Sequence, residues 1–250
     1  MKAKSYYSIV PLNVGNFKAL PKSTCMYRMY ANVTYEAPCV MWYLQGSESN
    51  MIVDLGPPDP EWSLKHHSLE IIKGKGQNPR EALHSIEVSP EDVQMVIMTH
   101  LHWDHCFGGE EFKNAKFVVQ RSELQYAIAP LPGQAPMYET QLGSPPFFRF
   151  FGKIKVVDGD EEIEPGIKVI HLPGHTPGSQ GIRVETQEGI YLIAGDTVGL
   201  YENLEYSPFI PSGIYVDLET AYRSLKKLKH QADHILPSHD MKVFKKKVYP

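Results

Sequence analysis

The segment that most constrains the fold is THLHWDH, residues 99–105, which places three histidines and one aspartate within six positions after the apolar run VQMVIMT. The apolar run is typical of a buried strand, and the polar residues after it cannot continue that strand. The cluster is therefore predicted on a loop at a strand end, where α/β proteins place their sites. Polar groups this close together are costly to desolvate unless a cation organises them. The predicted metal ligands here are His100, His102, Asp104 and His105.

Isolated histidines carry no such signal, because a lone imidazole is usually an ordinary core or surface residue. This interpretation applies to His66, His67, His84, His230 and His234.

The number of ligands then decides the kind of metal site. Imidazole and carboxylate suit zinc or a similar first-row ion, and a hydrolytic site has about three protein ligands and an open position. Four local candidates are too many for one tetrahedral ion with a water. The segment HLPGHTPGS presents His175 after a tight turn, HILPSHD presents His239 after a strand, and Asp196 ends the run YLIAGD without a local positive partner. Six ligands and one carboxylate able to bridge predict a two-metal site.

The rest of the chain reads as mixed α/β. Runs of β-forming residues recur at 8–14, 38–44, 51–56, 93–100, 116–120, 153–157, 167–174, 180–185 and 190–197. Ser89 to Asp92 resembles a helix start, and residues 217–230 have the apolar spacing of an amphipathic helix that packs on a sheet. No low-complexity linker divides the chain, so residues 1–250 are predicted to form a single domain.

One segment differs in kind. Residues 130–152 contain prolines and glycines that forbid a long regular element, together with four phenylalanines that need burial, Phe147, Phe148, Phe150 and Phe151. The segment is predicted to be a lid or an interface loop, with an irregular covering over the core as the alternative.

Composition and charge exclude several classes of protein. Apolar residues are 42% and charged residues 22% of the chain, and the net charge is −4, so nothing favours a nucleic-acid or membrane partner. No run of eighteen apolar residues and no secretory signal occur, which predicts a cytoplasmic protein. Three cysteines without CxxC spacing predict free thiols, and Cys106, beside the cluster, is a candidate to touch the site.

These residues resemble the motif of the metallo-β-lactamase superfamily, HxHxDH followed by spaced His, Asp and His. The motif segments follow in the right order and span residues 51–240. The resemblance implies a four-layer αβ/βα sandwich with a dinuclear metal site at the sheet edges. It implies that His100, His102 and His175 hold one metal ion. It implies that Asp104, His105 and His239 hold the other, and that Asp196 bridges the two.

Within the superfamily the chain is most similar to the N-acyl homoserine lactonases, through PLNVG, DLGPP, and PSGIYVDLETAYRSLKKLK leading to PSHD. It departs from them at one position. Characterised lactonases often carry a tyrosine three residues after the bridging aspartate, where this chain has Gly199, and Tyr201 is the candidate to supply the missing hydroxyl. The alternative is that Tyr201 is an ordinary half-buried aromatic residue.

The resulting hypothesis is a hydrolase with two divalent ions, of which zinc is expected, that opens a lactone or ester by attack of a metal-bridging hydroxide. Asp104 is expected to carry the proton to the leaving group. A small-molecule lactone or ester is the expected partner, and the phenylalanine-rich loop and the resemblance favour a homodimer. A thioester, a cyclic amide or a phosphodiester is the alternative substrate, although the few basic residues disfavour a nucleic acid. A structural or metal-sensing site is the non-enzymatic alternative.

Overall fold

The computed structural model describes residues 6–46 and 49–250, and residues 1–5 and 47–48 lie outside the described residues. Twelve strands are present in this part of the chain. Their bounds are β1 Ser8–Pro21, β2 Thr34–Gln45, β3 Asn50–Val53, β4 Ile71–Ile72, β5 Val93–Ile97, β6 Lys116–Gln120, β7 Ile154–Val157, β8 Glu161–Glu164, β9 Ile167–His171, β10 Gln180–Thr186, β11 Gly189–Ile193 and β12 His234–Leu236.

The strands form two sheets. The first has seven strands in the order β4-β1-β2-β3-β5-β6-β7, and the second has five in the order β12-β11-β10-β9-β8. Strands β3, β5, β6 and β7 run parallel to one another, as do β11 and β12, so their carboxyl ends lie at common sheet edges. The residues that follow β5, β11 and β12 are thereby brought toward one another.

The molecule has four layers of secondary structure, which are helices, the first sheet, the second sheet and a helix, and an apolar layer of side chains lies between each pair of neighbours. The middle layer joins the two sheets face to face and contains Trp42 and Val118 from one sheet and Val169 and Ile193 from the other. A second layer lies between the seven-stranded sheet and its helices, and a third lies between the five-stranded sheet and its helix. This arrangement is the αβ/βα sandwich that the sequence predicted.

Five α-helices are described: α1 Pro60–His67, α2 Pro79–His84, α3 Trp103–Cys106, α4 Arg121–Ile128 and α5 Leu218–Leu228. The predicted helix at 217–230 is α5. It begins where the Asp217 carboxylate accepts a hydrogen bond from the Thr220 amide at 3.0 Å, and it buries Leu225 and Leu228 against the second sheet.

The prediction that an α-helix starts at Ser89 is wrong. The amide of Ser89 donates to the Asp92 carboxylate at 3.1 Å, but only the single 3-10 turn Pro90–Asp92 follows. Strand β5 begins directly afterwards, because its apolar side chains pack in the sheet and override the local helix signal. The capping residues here start a single 3-10 turn and not an α-helix.

Residues 130–152 form three short 3-10 segments and no long element. Phe147 and Phe150 are buried in the core, and Phe150 stacks on Phe117 of β6 with ring centroids 4.0 Å apart. The expectation that all four phenylalanines need burial is wrong for Phe148 and Phe151, which are 50% and 47% exposed. The segment covers one side of the first sheet and leaves two aromatic rings in contact with solvent.

Among the described residues, no helix has the length and apolar character that crossing a bilayer requires.

Candidate metal centre

The seven side chains predicted as metal ligands lie together at the carboxyl ends of the strands. His100 follows β5, His102 precedes α3, and Asp104 and His105 lie within that helix. The other three, His175, Asp196 and His239, follow β9, β11 and β12 respectively. Six of the seven are buried, and the Asp196 carboxylate is 13% exposed.

A close backbone approach explains the glycine in the turn before His175. Gly174 has φ +135°, and a Cβ atom there would lie 2.4 Å from the backbone of Ala221 in α5. Only glycine permits this approach, which sets the path of the chain into His175.

Three imidazole nitrogens converge at one end of the cluster. Nε2 of His175 lies 3.3 Å from Nε2 of His100 and 3.1 Å from Nδ1 of His102. Three ring nitrogens cannot all satisfy one another with hydrogen bonds, because each pair needs a proton between two lone pairs. The arrangement is the one that a shared cation requires.

Asp196 lies between this group and a second one. Its Oδ2 is 3.5 Å from Nε2 of His175, while its Oδ1 is 3.1 Å from Nε2 of His239 and 3.3 Å from Nε2 of His105. Asp104 completes the second group, with Oδ2 3.5 Å from Nε2 of His105 and 3.8 Å from Nε2 of His239. The two oxygens of Asp196 therefore face different sets of imidazoles.

Two polar atoms that face the centre of the cluster have no hydrogen bond of acceptable geometry inside the protein. They are Nε2 of His105 and Oδ1 of Asp196, and both are fully enclosed. A buried polar atom without a partner is costly, so such atoms indicate a missing ligand. The donor set of imidazole and carboxylate fits divalent metal ions of the zinc type.

The opposite nitrogens of four rings are held by the protein. Nδ1 of His175 contacts the Ile214 carbonyl oxygen at 2.8 Å, and Nδ1 of His239 contacts the Pro38 carbonyl oxygen at 2.9 Å. Nδ1 of His100 lies 3.0 Å from Oγ1 of Thr99. These contacts orient each ring and leave its Nε2 available to the centre of the cluster.

Asp54 holds the fourth ring and was missed as a site residue from the sequence. Its Oδ2 accepts from Nδ1 of His105 at 2.8 Å and from Oγ1 of Thr99 at 2.7 Å, and its Oδ1 accepts from the Thr99 amide at 2.8 Å. The available signal was the apolar strand MIVDLG, which ends in this carboxylate. Its backbone has φ +55°, which the surrounding hydrogen bonds maintain.

A second buried carboxylate, Glu123 of α4, connects the two loops that carry ligands. It accepts hydrogen bonds from the Leu101 amide at 2.9 Å, from the Gly178 amide at 3.2 Å and from the Thr176 hydroxyl. The Tyr138 hydroxyl, from the 130–152 segment, donates to it at 3.1 Å. No pattern in the sequence of α4 singles out Glu123, because its partners are all distant along the chain.

Burial and neighbouring charges set the protonation of the cluster. Burial, together with the adjacent imidazoles, holds the pKa of His100 and of His102 well below the ordinary value. Burial favours the neutral acid at Asp196, but the imidazoles of His239 and His105 outweigh it and hold the pKa of that carboxyl well below its usual range. The cluster thus presents neutral imidazoles at one end and an ionised carboxylate at its centre. At the other end the neighbouring carboxylates outweigh burial and raise the pKa of His105 and of His239, so a metal ion bound there would displace protons.

A cavity of about 330 Å³ lies over the cluster and is open to solvent. Asp104, Asp196 and His239 line its floor. Its walls are largely apolar and come from β1, α1, α3 and the 130–152 segment, with Phe17, Leu20, Trp103, Met137 and Ile214 among them. The predicted lid or interface segment therefore contributes a wall of the cavity.

Tyr201 was predicted as a site residue, but its side chain lies neither in the cluster nor in the lining of this cavity. Its side chain lies in a separate groove with Tyr191, beside the hydroxyl of Tyr249. The structure thus corresponds to the alternative reading, a half-buried aromatic residue. The backbone after Asp196 turns Tyr201 away from the cluster, because its amide donates to the Asp240 carboxylate at 3.1 Å.

Cys25 occupies the space beside Gly199. A Cβ atom at position 199 would lie 2.9 Å from both Cβ and Sγ of Cys25, which lines the cavity and contacts the Tyr35 hydroxyl at 3.2 Å. Burial raises the pKa of Cys25 to about 12. The side chain missing at position 199 is thus replaced by a thiol from the 3-10 turn after β1.

All three cysteines are free and buried, as predicted. Cys106, the candidate to touch the site, donates to the Leu101 carbonyl oxygen at 3.5 Å. Cys39 lies closer to the cluster, where its Sγ, a carboxylate oxygen of Asp104 and a ring nitrogen of His239 are within 4.8 Å of one another.

The fold and the cluster agree with the comparison to known proteins. The family model described as metallo-beta-lactamase superfamily matches residues 34–239, which is most of the chain. The chain belongs to the metallo-β-lactamase superfamily, whose members bind divalent metals, and it is a metal-dependent hydrolase.

Individual relatives and solved structures are similar to most of the chain. An N-acyl homoserine lactonase of Bacillus thuringiensis is 30% identical over 203 residues, 77% of this chain and 75% of the relative. A probable metallo-hydrolase of Methanocaldococcus jannaschii is 32% identical over 178 residues, 71% of this chain and 68% of the relative. A solved N-acyl homoserine lactone hydrolase, with N-hexanoyl-L-homoserine bound at its catalytic metal centre, has a TM-score of 0.78 and 24% identity and covers 95% of each chain. This structural likeness shows the fold.

Proposed function

We propose that the chain is a dinuclear metal hydrolase that opens the lactone ring of N-acyl homoserine lactones. The observation that carries the proposal is the position of Asp196, whose two oxygens face separate sets of imidazoles beneath an apolar cavity. The lactonase relatives support the substrate class. A cavity with apolar walls suits an acyl chain and a neutral ring better than a polyanion.

The proposed ligand sets follow the two groups of side chains. His100, His102 and His175 would hold one metal ion, Asp104, His105 and His239 would hold the other, and Asp196, which faces both groups, would contribute to both. When bound, the two ions would supply hydroxide at neutral pH and a Lewis acid for the substrate carbonyl.

The chain's own residues do the remaining work. Asp104 lies on the cavity floor, and we assign it the transfer of the proton from the attacking water to the leaving alkoxide oxygen. Asp54 and the carbonyl oxygens of Pro38 and Ile214 hold the imidazoles in position. The apolar walls exclude bulk water from the ring, which strengthens the electrostatic interactions at the cavity floor.

The test is a hydrolysis panel with zinc-loaded protein and parallel metal analysis. Acyl homoserine lactones, simple lactones, thioesters, cyclic amides and a β-lactam are compared by kcat/KM. We expect two metal ions per chain and the highest kcat/KM for an acyl homoserine lactone. A higher kcat/KM for a thioester or a cyclic amide would contradict the lactone substrate but not the proposed metal site.

Two variants test the assignment of residues. His102→Ala and Asp104→Asn, each folded and supplied with zinc, are expected to lose at least about 100-fold in kcat/KM, in the range seen when catalytic groups are removed. His230→Ala is the matched control, because His230 is exposed and belongs neither to the cluster nor to the lining of its cavity. Full activity in either site variant contradicts the assignment.

A further inference from the structure

A histidine that the sequence did not single out lies in the wall of the cavity. His67 is the last residue of α1, and its ring stacks on Trp103 with centroids 4.0 Å apart and planes 10° from parallel. The side chain is only 4% exposed, and it lines the same cavity as Asp104 and Asp196.

Glu139 of the 130–152 segment determines which nitrogen of His67 carries the proton. Its Oε1 accepts the indole N–H of Trp62 at 2.8 Å and lies 2.7 Å from Nε2 of His67. Its Oε2 is enclosed and has no partner, so Oε1 is the acceptor in both contacts. The imidazole therefore donates from Nε2, and in the neutral ring Nδ1 keeps its lone pair.

Nδ1 of His67 is available to a bound molecule. It makes no hydrogen bond to any described residue, and it is not among the enclosed polar atoms. Because the rest of this side chain is covered by Trp103 and Glu139, the accessible edge of the ring faces the cavity. The cavity thus has a hydrogen-bond acceptor in its wall, separate from the metal cluster on its floor.

The surrounding walls make this acceptor selective. Apart from His66, His67 and the cluster, the lining is largely apolar. Its apolar side chains include Phe17, Leu20, Trp103, Met137 and Ile214. A polar N–H buried among such side chains costs free energy unless it finds an acceptor. A substrate with a hydrogen-bond donor near its reacting ring is accommodated at Nδ1, and a substrate without one leaves the acceptor unpaired.

We propose that His67 determines specificity by accepting, at Nδ1, a hydrogen bond from the N–H of an acylamino substituent on the lactone, with Glu139 as the positioning residue. This inference rests on the proposed function and adds the residue by which the cavity distinguishes lactones with an acylamino group from simple alkyl lactones. A neutral hydrogen bond of this kind changes kcat/KM by about tenfold.

The test compares two substrates in zinc-loaded protein. One is N-hexanoyl homoserine lactone, and the other is its carba analogue, in which a methylene replaces the amide N–H. Wild-type protein is expected to favour the amide by about tenfold in kcat/KM. His67→Phe keeps a ring on Trp103 but removes the acceptor, so kcat/KM falls about tenfold for the amide and stays within about twofold for the carba analogue.

A neighbouring residue gives a matched control. His66 lines the same cavity and packs against Trp62, with ring centroids 4.4 Å apart and planes tilted by 40°, but it has no carboxylate partner among the described residues. His66→Phe is expected to change kcat/KM for both lactones by the same factor. Circular dichroism and thermal unfolding of each variant establish that it is folded.

A second measurement needs no variant. In wild-type protein with ¹⁵N-labelled histidine, the ring-opened product N-hexanoyl homoserine is expected to shift the Nδ1 resonance of His67, and the carba product is not. Equal loss of kcat/KM for both lactones in His67→Phe, or an unchanged Nδ1 resonance, overturns the inference while lactone hydrolysis stands. Wild-type protein that opens neither lactone overturns the proposed function as well, so the two failures are distinguishable.

Discussion

Nδ1 of His105 donates to Oδ2 of Asp54 at 2.8 Å across 51 positions of sequence. The same carboxylate oxygen accepts from the Thr99 hydroxyl, so one side chain at the end of β3 connects the loop after β5 to an imidazole of the cluster. A carboxylate in this position fixes the ring tautomer and raises the basicity of the opposite nitrogen.

Asp54→Asn is expected to lower zinc affinity by about 10–100-fold, because an amide nitrogen would face the Nδ1–H of His105. Zinc competition with a chromophoric chelator measures the change. Asp59→Asn is the control, since Asp59 caps α1 through the Trp62 amide and asparagine caps equally well. If Asp54→Asn bound zinc as tightly as wild type, Asp54 would have no role in supporting the metal site.

Glu123→Gln is expected to destabilise the metal-free protein by about 1–3 kcal/mol, because an amide group would meet the N–H and O–H donors that Glu123 now accepts. Urea unfolding of the metal-free protein measures the free energy. Glu219→Gln on the exposed face of α5 serves as the comparison and should stay within about 0.5 kcal/mol of wild type. An equally small effect in Glu123→Gln would mean that its hydrogen bonds do not stabilise the two ligand loops.

Gly199→Ala is expected to lower the free energy of unfolding, measured by urea denaturation, by about 1–3 kcal/mol, because its new methyl group would overlap Cys25. Combining it with Cys25→Gly, which removes the overlapping atoms, should recover part of that loss in a double-mutant cycle. Gly133→Ala is the control, because nothing lies within 4 Å of a Cβ atom there. Additive effects of the two site changes would show that the residues do not compete for space.

Cys25 is expected to resist alkylation although it lines the cavity. With its pKa raised to about 12 by burial, only about one molecule in 10⁴ carries the thiolate at pH 8. Iodoacetamide labelling followed by mass spectrometry should therefore show no modification at pH 8 and a rate that rises about tenfold for each pH unit above it. Denatured protein, in which all three cysteines react, is the positive control. Rapid labelling of Cys25 in folded protein at pH 8 would contradict the raised pKa.

Tyr201→Phe is expected to keep kcat/KM within about twofold of wild type and to lose about 1 kcal/mol of stability through its contact with the Tyr249 hydroxyl. The same lactone assay and thermal unfolding measure both quantities. A loss of about 100-fold in kcat/KM would place the hydroxyl at the substrate after all.

The sequence by itself determined the class of fold and the set of side chains at its centre. Alternating apolar runs that end in histidine or aspartate specify strands with polar carboxyl ends, and parallel strands bring such ends to one edge. Local spacing was sufficient for the four ligands from His100 to His105, which are close along the chain. The other three, His175, Asp196 and His239, were predicted because each follows an apolar run. The prediction of a helix start at Ser89 is wrong because packing of β5 overrides local helix propensity.

The tertiary structure decided the residues that act through others and the shape of the cavity. Asp54, Glu123 and His67 each contact partners 15 to 72 positions away, and no local pattern encodes such a contact. The same holds for Gly199, whose vacant space is filled by Cys25 from a turn far earlier in the chain. Spacing in sequence predicts which groups can bind an ion, whereas orientation of rings and selection of substrate depend on contacts that exist only after the sheets have packed.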